Sequence, residues 1–424
     1  MSPSPVPVPE PGTEPATHAP PETPPASRHP FFLTHFRNLW IGSSISLLGS
    51  QFNLVAMPWL VLQLTGSSLA LGTIMMTATI PRTVLMLLGG AVTDRVSARR
   101  VLIVTATTRT LLVGTVSALV WLDFVALWQL YVLTFLFGVA DAFSVPAGGA
   151  LIPSLVAPPQ LARAHALLQS SVMLILMIGP APAGLVIKSL GIAAAFLVDS
   201  LSFLAVIAAL FKIPDPPKRQ APPADVLRSI GEGWRAVWND PPFIALTMLL
   251  TAVNLCTIGP TGVGLAALAK FQFGTATSLG ILLSCFPGGA LAGALLGGLV
   301  KKPHRRGLKI LCMGMLSGLA LLAVGLVTTH FAAIGACLVL AGLGVGFINV
   351  QFAAWGQMRI DRALLGRVHS VVILLALGLV PVSYGASGVL AQWSLPGLFI
   401  VAGALLTVAS STLALASKAA REVD

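Results

Sequence analysis

The sequence predicts an all-α membrane protein of twelve transmembrane helices, arranged as two six-helix pseudo-repeats with both termini in the cytoplasm. Three observations predict it: the composition, a rhythm of apolar blocks, and a lopsided placement of basic residues. Charged residues make up 9% of the 424 positions and hydrophobic residues 56%, against roughly 25% charge in an ordinary soluble domain. No soluble fold hides that much apolar surface. From Leu39 to Ser417 apolar blocks of about 20 residues follow one another, each long enough at ~1.5 Å per residue to cross a ~30 Å hydrocarbon core. Lipid leaves exposed backbone groups unsatisfied, so each block must be a helix.

The spans fall at 39 to 64, 69 to 93, 99 to 122, 126 to 150, 164 to 187, 191 to 211, 243 to 268, 276 to 300, 307 to 328, 331 to 357, 368 to 391 and 395 to 417. The net charge of +11 is no sign of nucleic-acid binding, because the basic residues sort by loop. Of the 25 lysines and arginines, Arg82 and Arg109 lie inside spans, Lys188 and Lys270 face one side, and the other 21 face the side of the termini. The positive-inside rule makes that side cytoplasmic. The chain divides into a Pro-rich cytoplasmic tail (1–30), a first six-helix bundle (31–211), a cytoplasmic linker (212–242), a second six-helix bundle (243–417) and a short cytoplasmic tail (418–424).

Residues 1–30 contain eleven prolines and almost no large apolar side chains, which excludes a signal peptide and predicts an extended, disordered segment. In the linker, Leu227, Ile230, Trp234 and Trp238 form an apolar stripe at helical spacing, with Arg228, Glu232 and Arg235 off it. A helix lying on the inner membrane face is expected there. Cys256, Cys285, Cys312 and Cys337 all fall within spans and form no C-x-x-C pair, so neither a disulfide framework nor a metal site is expected. No G-x-x-x-x-G-K-[ST] or H-E-x-x-H occurs, so the chain carries no ATPase of its own, no enzymatic activity is expected, and no cofactor is implied.

The chain repeats itself. Leu71-Gly72 recurs as Leu279-Gly280, and Gly89-Gly90 as Gly297-Gly298, at an offset of 208; Arg163-Ala-His165 recurs as Arg367-Val-His369 at an offset of 204. A parallel repeat of six spans, with substrate handled between the halves, is the plan of one large class of secondary transporters.

Gly89-Gly90-Ala-Val-Thr-Asp94-Arg95-Val-Ser-Ala-Arg99-Arg100 resembles the signature loop of the major facilitator superfamily, G-x-x-x-D-R-x-G-R-R, with Ser97 where glycine is usual. The resemblance gives Gly90, Asp94, Arg95, Arg99 and Arg100 a conformational role at the cytoplasmic face. Leu39-Trp-Ile-Gly-Ser-Ser-Ile-Ser-Leu-Leu-Gly-Ser, Gly138-Val-Ala-Asp141-Ala-Phe-Ser-Val-Pro146, Gln160-Leu-Ala-Arg-Ala-His and Gly179-Pro180-Ala-Pro-Ala-Gly184 resemble the exporter branch that contains enterobactin and macrolide efflux proteins. That likeness implies a major facilitator fold and proton-driven export, by alternating access, of a small amphipathic molecule such as a drug, macrolide or siderophore. A multi-pass protein of the bacterial inner membrane is implied, with protons and membrane lipids as partners, no nucleic acid, and a monomeric state. It also implies a part in antiport for Gly179, Pro180 and Gly184, for which a glycine-lined helix contact with a proline bend is the alternative. A lipid or lysolipid flippase, and a transporter-like receptor or scaffold that uses the Pro-rich tail for docking, are the other readings.

Buried ionisable groups are costly and need a partner or a cavity. Arg82 lies ~18 Å and Arg109 ~15 Å from the cytoplasmic end of their spans. Depth allows Arg109 with Asp141 and Arg82 with Asp199, and leaves other pairings open. Asp141 and Asp199 are the candidate proton carriers, and a structural network fixing helix register is the competing role. Gln51, Asn53, Asn254, Thr257, Asn349 and Gln351, on spans that line the cavity in the resembling family, are candidate substrate contacts or interhelical bonds.

Overall fold

The computed structural model describes residues 30–215, 226–300, 305–361 and 364–416; for 87–95, 226–230 and 365 it describes the backbone alone. Of the expected tails, 1–30 and 418–424, only Pro30 is described, and the middle of the linker also lies outside the described residues. The first half comprises α1 (Thr34–Thr65), α2 (Ser68–Arg95), α3 (Ala98–Trp121), α4 (Leu127–Leu151), α5 (Leu161–Ile178), α6 (Pro180–Leu190) and α7 (Ile192–Phe211). The linker helix α8 (Val226–Trp238) follows. The second half comprises α9 (Pro241–Gly259), α10 (Leu265–Leu268), α11 (Ala276–Leu299), α12 (Arg306–Leu326), α13 (Phe331–Arg359), α14 (Leu365–Gly378), α15 (Val380–Trp393) and α16 (Leu395–Ala416).

Twelve helical stretches among the described residues are long and apolar enough to cross a membrane. They outnumber the expected spans in no case, but three are composite. The fifth span is α5 and α6 joined at Gly179-Pro180, and the eleventh is α14 and α15 joined before Pro381. In each, proline removes a backbone donor and breaks the hydrogen-bond ladder. The seventh runs as one span from Pro241 to Phe273, with π-helical turns at Pro260–Gly264 and Ala269–Phe273 flanking α10. An even number of crossings returns the chain to the side on which it began, here termed the terminal side; the short connections at Gly66, Gly191 and Gly274 lie on the far side. All three of those glycines have φ between 62° and 89°, the left-handed region in which they turn the chain without a Cβ clash.

The halves are built alike. In the first, α2 packs on α4 and α7 on both α1 and α3; in the second, α11 packs on α13 and α16 on both α9 and α12. Glycines permit the close crossings: a Cβ on Gly42 would meet the Ala205 carbonyl at 2.9 Å, and one on Gly346 the Ala290 carbonyl at 1.9 Å. Between halves the two principal contacts are α2 with α15 and α6 with α11, a symmetric pair. The repeated glycines lie at those crossings. A Cβ on Gly72 would lie 2.7 Å from the Gly388 Cα, and one on Gly280 2.3 Å from the Pro180 carbonyl oxygen.

Polar contacts join the halves at the same end. Gln392 Oε1 accepts from Ser67 Oγ (3.2 Å) and from the Ser68 backbone N–H (3.0 Å), supplying a partner to the first turn of α2. Thr277 Oγ1 donates to the Gly184 carbonyl at 3.4 Å, and the Lys270 ammonium sits 4.5 Å from the Trp59 ring centroid. These contacts hold the molecule closed on the far side.

Candidate functional site

The spanning helices of the first half bring Arg82, Arg109 and Asp141 together. Arg82 Nε lies 3.0 Å from Asp141 Oδ2, and the Arg109 guanidinium contacts Asp141 Oδ1. One carboxylate therefore faces two arginines. Arg109 pairs with Asp141, as depth allowed, whereas Arg82 also goes to Asp141 and not to Asp199. The cause is helix order: α4 packs against both α2 and α3, while α7 packs against α1 and α3 and leaves α2 out of reach. Gly138, one turn before Asp141, makes this possible, since a Cβ there would lie 2.1 Å from the Ala78 carbonyl of α2.

The three charges differ in surroundings. Arg82 is 48% exposed, against 15% for Arg109 and 17% for Asp141. The Arg109 guanidinium carbon lies 5.3 Å from the Phe137 centroid and 5.8 Å from that of Phe203, a cation–π sandwich that compensates for lost hydration. Asp199 is fully buried, and neither of its carboxylate oxygens has a hydrogen-bond partner. Its neighbours are Asn53 and Ser50 of α1, and Arg109 acts on it through space.

A cleft of about 460 Å³ opens beside this cluster, wholly within the first half. Ser43, Ser46 and Ser50 of α1, Ser144 of α4 and Ser171 of α5 line it, with Arg109 and Asp141 at its inner end and Gly148 and Gly149 nearer the terminal side. The α1 serines recur at helical spacing, the one signal by which the sequence could have shown this polar face.

Of the other expected residues, Gln51 is 3% exposed and packed under Gly179, where a Cβ would meet its Cγ at 2.4 Å. Thr257 is buried and donates to the Val253 carbonyl of its own helix at 2.7 Å. Gln351 Nε2 donates to the Gly297 carbonyl at 2.6 Å, tying α13 to α11. These three serve helix packing. Asn254 is half-buried and bonds its own helix through Nδ2, and Asn349 is exposed. Gly179 and Pro180 sit at the break between α5 and α6, and Gly184 packs on Ala276 of the second half, a Cβ there lying 2.5 Å from the Ala276 carbonyl.

At the signature loop, the side chains of Gly90, Asp94 and Arg95 lie outside the described residues, so a role for Asp94 is not part of the observed geometry. Arg99 Nε donates to the Leu210 carbonyl at 2.8 Å, capping the C-terminus of α7, and Arg100 Nε lies 3.0 Å from Asp215 Oδ2. Ser97 Oγ also donates to Asp215. That hydrogen bond and the two arginines hold the exposed Asp215 carboxyl below the usual carboxylate range. The serine that departs from the glycine pattern thus has a use that the pattern alone did not show: it ties the loop to the start of the linker. Farther on, Glu232 of α8 pairs with Arg367, and Trp234 and Trp238 stack at 5.7 Å between centroids, both exposed. Among the described side chains of α8, Gly233 and Val237 are the buried ones, and the tryptophans face away from the bundle. The remainder of the expected stripe, Leu227 and Ile230, lies outside the described side chains.

This architecture, two symmetric six-span halves with a short buried charge network, defines a class of transporter, and residues 39–382 match the family model of the Major Facilitator Superfamily. The chain belongs to that family and is a multi-pass membrane transporter. It is similar to macrolide efflux protein A of Streptococcus pyogenes, 24% identical over 79% of this chain and 84% of that protein. It is also similar to the multidrug efflux pump Tap of Mycobacterium tuberculosis, 26% identical over 94% of this chain and 96% of the pump. Among solved structures, a bacterial homologue of the iron transporter ferroportin in its inward-facing state has a TM-score of 0.72 at 18% identity, covering 91% of this chain and 99% of that one. A POT family transporter reaches 0.75 at 13% identity, covering 93% and 99%. These two likenesses are of fold alone.

Proposed function

We propose that this protein is a secondary exporter of the bacterial inner membrane that expels small amphipathic molecules, of drug or macrolide type, in exchange for protons. The observation that carries the reading is the likeness, over 79% and 94% of this chain, to two efflux proteins, one named for macrolides and one for multiple drugs. The Arg82–Asp141–Arg109 network within the spans supports the proton half: an apolar bundle keeps such charges only where they are paired and useful. With no nucleotide-binding motif in the sequence, an ion gradient supplies the energy.

Both termini lie in the cytoplasm in this reading, and export begins from the conformation closed on the far side. Substrate enters between the halves, where Asn254 and Asn349 offer polar contacts within an otherwise apolar lining. The proton is carried within the first half, by the cluster that holds Asp141 and Asp199. The test is accumulation of a radiolabelled macrolide in a pump-deficient bacterial host. Expression is expected to lower accumulation, and a proton uncoupler to restore it. Equal accumulation with and without the protein, once its presence in the membrane is verified, overturns the reading.

A further inference from the structure

We infer that the first half carries a proton site of its own at Asp199, reached from the terminal side through the serine-lined cleft and separate from the substrate path between the halves. The inference deepens the antiport reading and rests on it for the use to which the proton is put. It also divides the two aspartates by role. Asp141 is the fixed anion, gripped by two guanidiniums, and Asp199 is the group that gains and loses the proton.

Charge balance supports the division. Arg82 is 48% exposed and shares Asp141 with Arg109, while Arg109 and Asp141 neutralise each other in a half-buried contact. Asp199 is then left fully buried, with two oxygens that accept no hydrogen bond, an environment that a carboxylic acid tolerates and a carboxylate does not. The elements packed on it bring few charges: α1 supplies Ser50 and Asn53, α3 supplies Arg109, and Lys188 lies in the last turn of α6. In this conformation Asp199 holds a proton.

Release has a defined sequence. The O–H bond of Asp199 breaks, the proton passes to water in the cleft, and the carboxylate left behind draws Arg109 from Asp141. Two balanced pairs result, Arg109 with Asp199 and Arg82 with Asp141. Ser50 connects the cleft to this site, since it lines the one and neighbours the other. The exchange is felt between the halves, because Arg82 stands on α2, the helix that crosses α15.

Infrared difference spectroscopy of the protein in lipid nanodiscs, titrated with pH, tests the site. Wild type is expected to show a protonated-carboxyl band that Asp199→Asn abolishes, Asp199→Glu shifts and Asp141→Asn retains. A band that survives Asp199→Asn, or a wild type without a band at any pH, overturns the proposal. Gly148→Leu tests the route: a Cβ at Gly148 meets nothing within 4 Å, so leucine fills the cleft without a backbone clash. Deuterium exchange of the band is expected to slow, and an unchanged rate overturns the route. Macrolide-driven proton flux on the same samples separates the two readings. No flux with the Asp199 band intact removes antiport and supports the site; flux without that band keeps antiport and overturns the site.

Discussion

Gly72 meets Gly388 at the crossing that closes the far side, and a single added methyl there tests whether the closure is real. The Cβ of Gly72→Ala would lie 2.7 Å from the Gly388 Cα and 2.7 Å from the Tyr384 carbonyl oxygen. Carbon atoms rest about 3.5–4.0 Å apart, so α2 and α15 must separate by roughly 1 Å. The obstacles are backbone atoms and cannot rotate away. Overpacking of this kind costs about 1–3 kcal/mol, here charged to the far-closed conformation, because the contact joins the two halves and touches neither half's own core. A cost of that size shifts a two-state population by about 5- to 150-fold. Spin labels at Ser189 and Thr329, exposed on the far side of opposite halves, read the shift as a longer distance distribution in electron double resonance. Gly149→Ala is the control, since its Cβ meets nothing within 4 Å. An unchanged distribution for Gly72→Ala, or an equal shift in the control, would refute the reasoning.

Gln392→Ala removes the acceptor that serves the first turn of α2 and is expected to shift the same distribution in the same direction, by about 1 kcal/mol. Arg109→Ala leaves the half-buried Asp141 to the half-exposed Arg82 alone, a loss below the ~3–5 kcal/mol of a fully buried pair that appears as a lower melting temperature in nanodiscs. The tie between the signature loop and the linker depends on pH with a definite sign. The Asp215 carboxyl is held below its usual range, so the tie persists above that range and is lost as pH falls through the lowered value. Ser97→Gly moves that loss to higher pH, read by spin labels at Val96 and Lys212; an unmoved midpoint would assign the effect to the arginines alone.

Much of this fold was legible in the sequence because bilayer thickness and hydrogen-bond satisfaction leave few solutions to an apolar chain. The repeat glycines Gly72 and Gly280 were visible as a register match, and they prove to be the inter-half crossings. The charged residues were legible by depth and only in part by partner: the Arg109–Asp141 pair was among those depth allowed. Depth fixes only one coordinate; that Arg82 turns to Asp141 follows from α2 lying against α4, a matter of lateral packing that hydropathy does not encode. For the same reason Gln51 and Gln351 read equally as substrate contacts or interhelical bonds, and they are found between helices. The Gln392 contact with Ser68 spans 324 residues and leaves no local trace. Ser97 was visible as a departure from the family pattern, but its partner, Asp215, lies across the loop–linker junction.

The most direct test of the account is proton movement driven by substrate. Purified protein is reconstituted into liposomes that enclose a pH-sensitive dye, and a macrolide is added with no metabolic energy source present. Wild type is expected to move protons against the macrolide, and Asp199→Asn to move none while still binding it. Macrolide transport that proceeds with no proton movement, or an Asp199→Asn variant that moves protons as wild type does, would contradict the account.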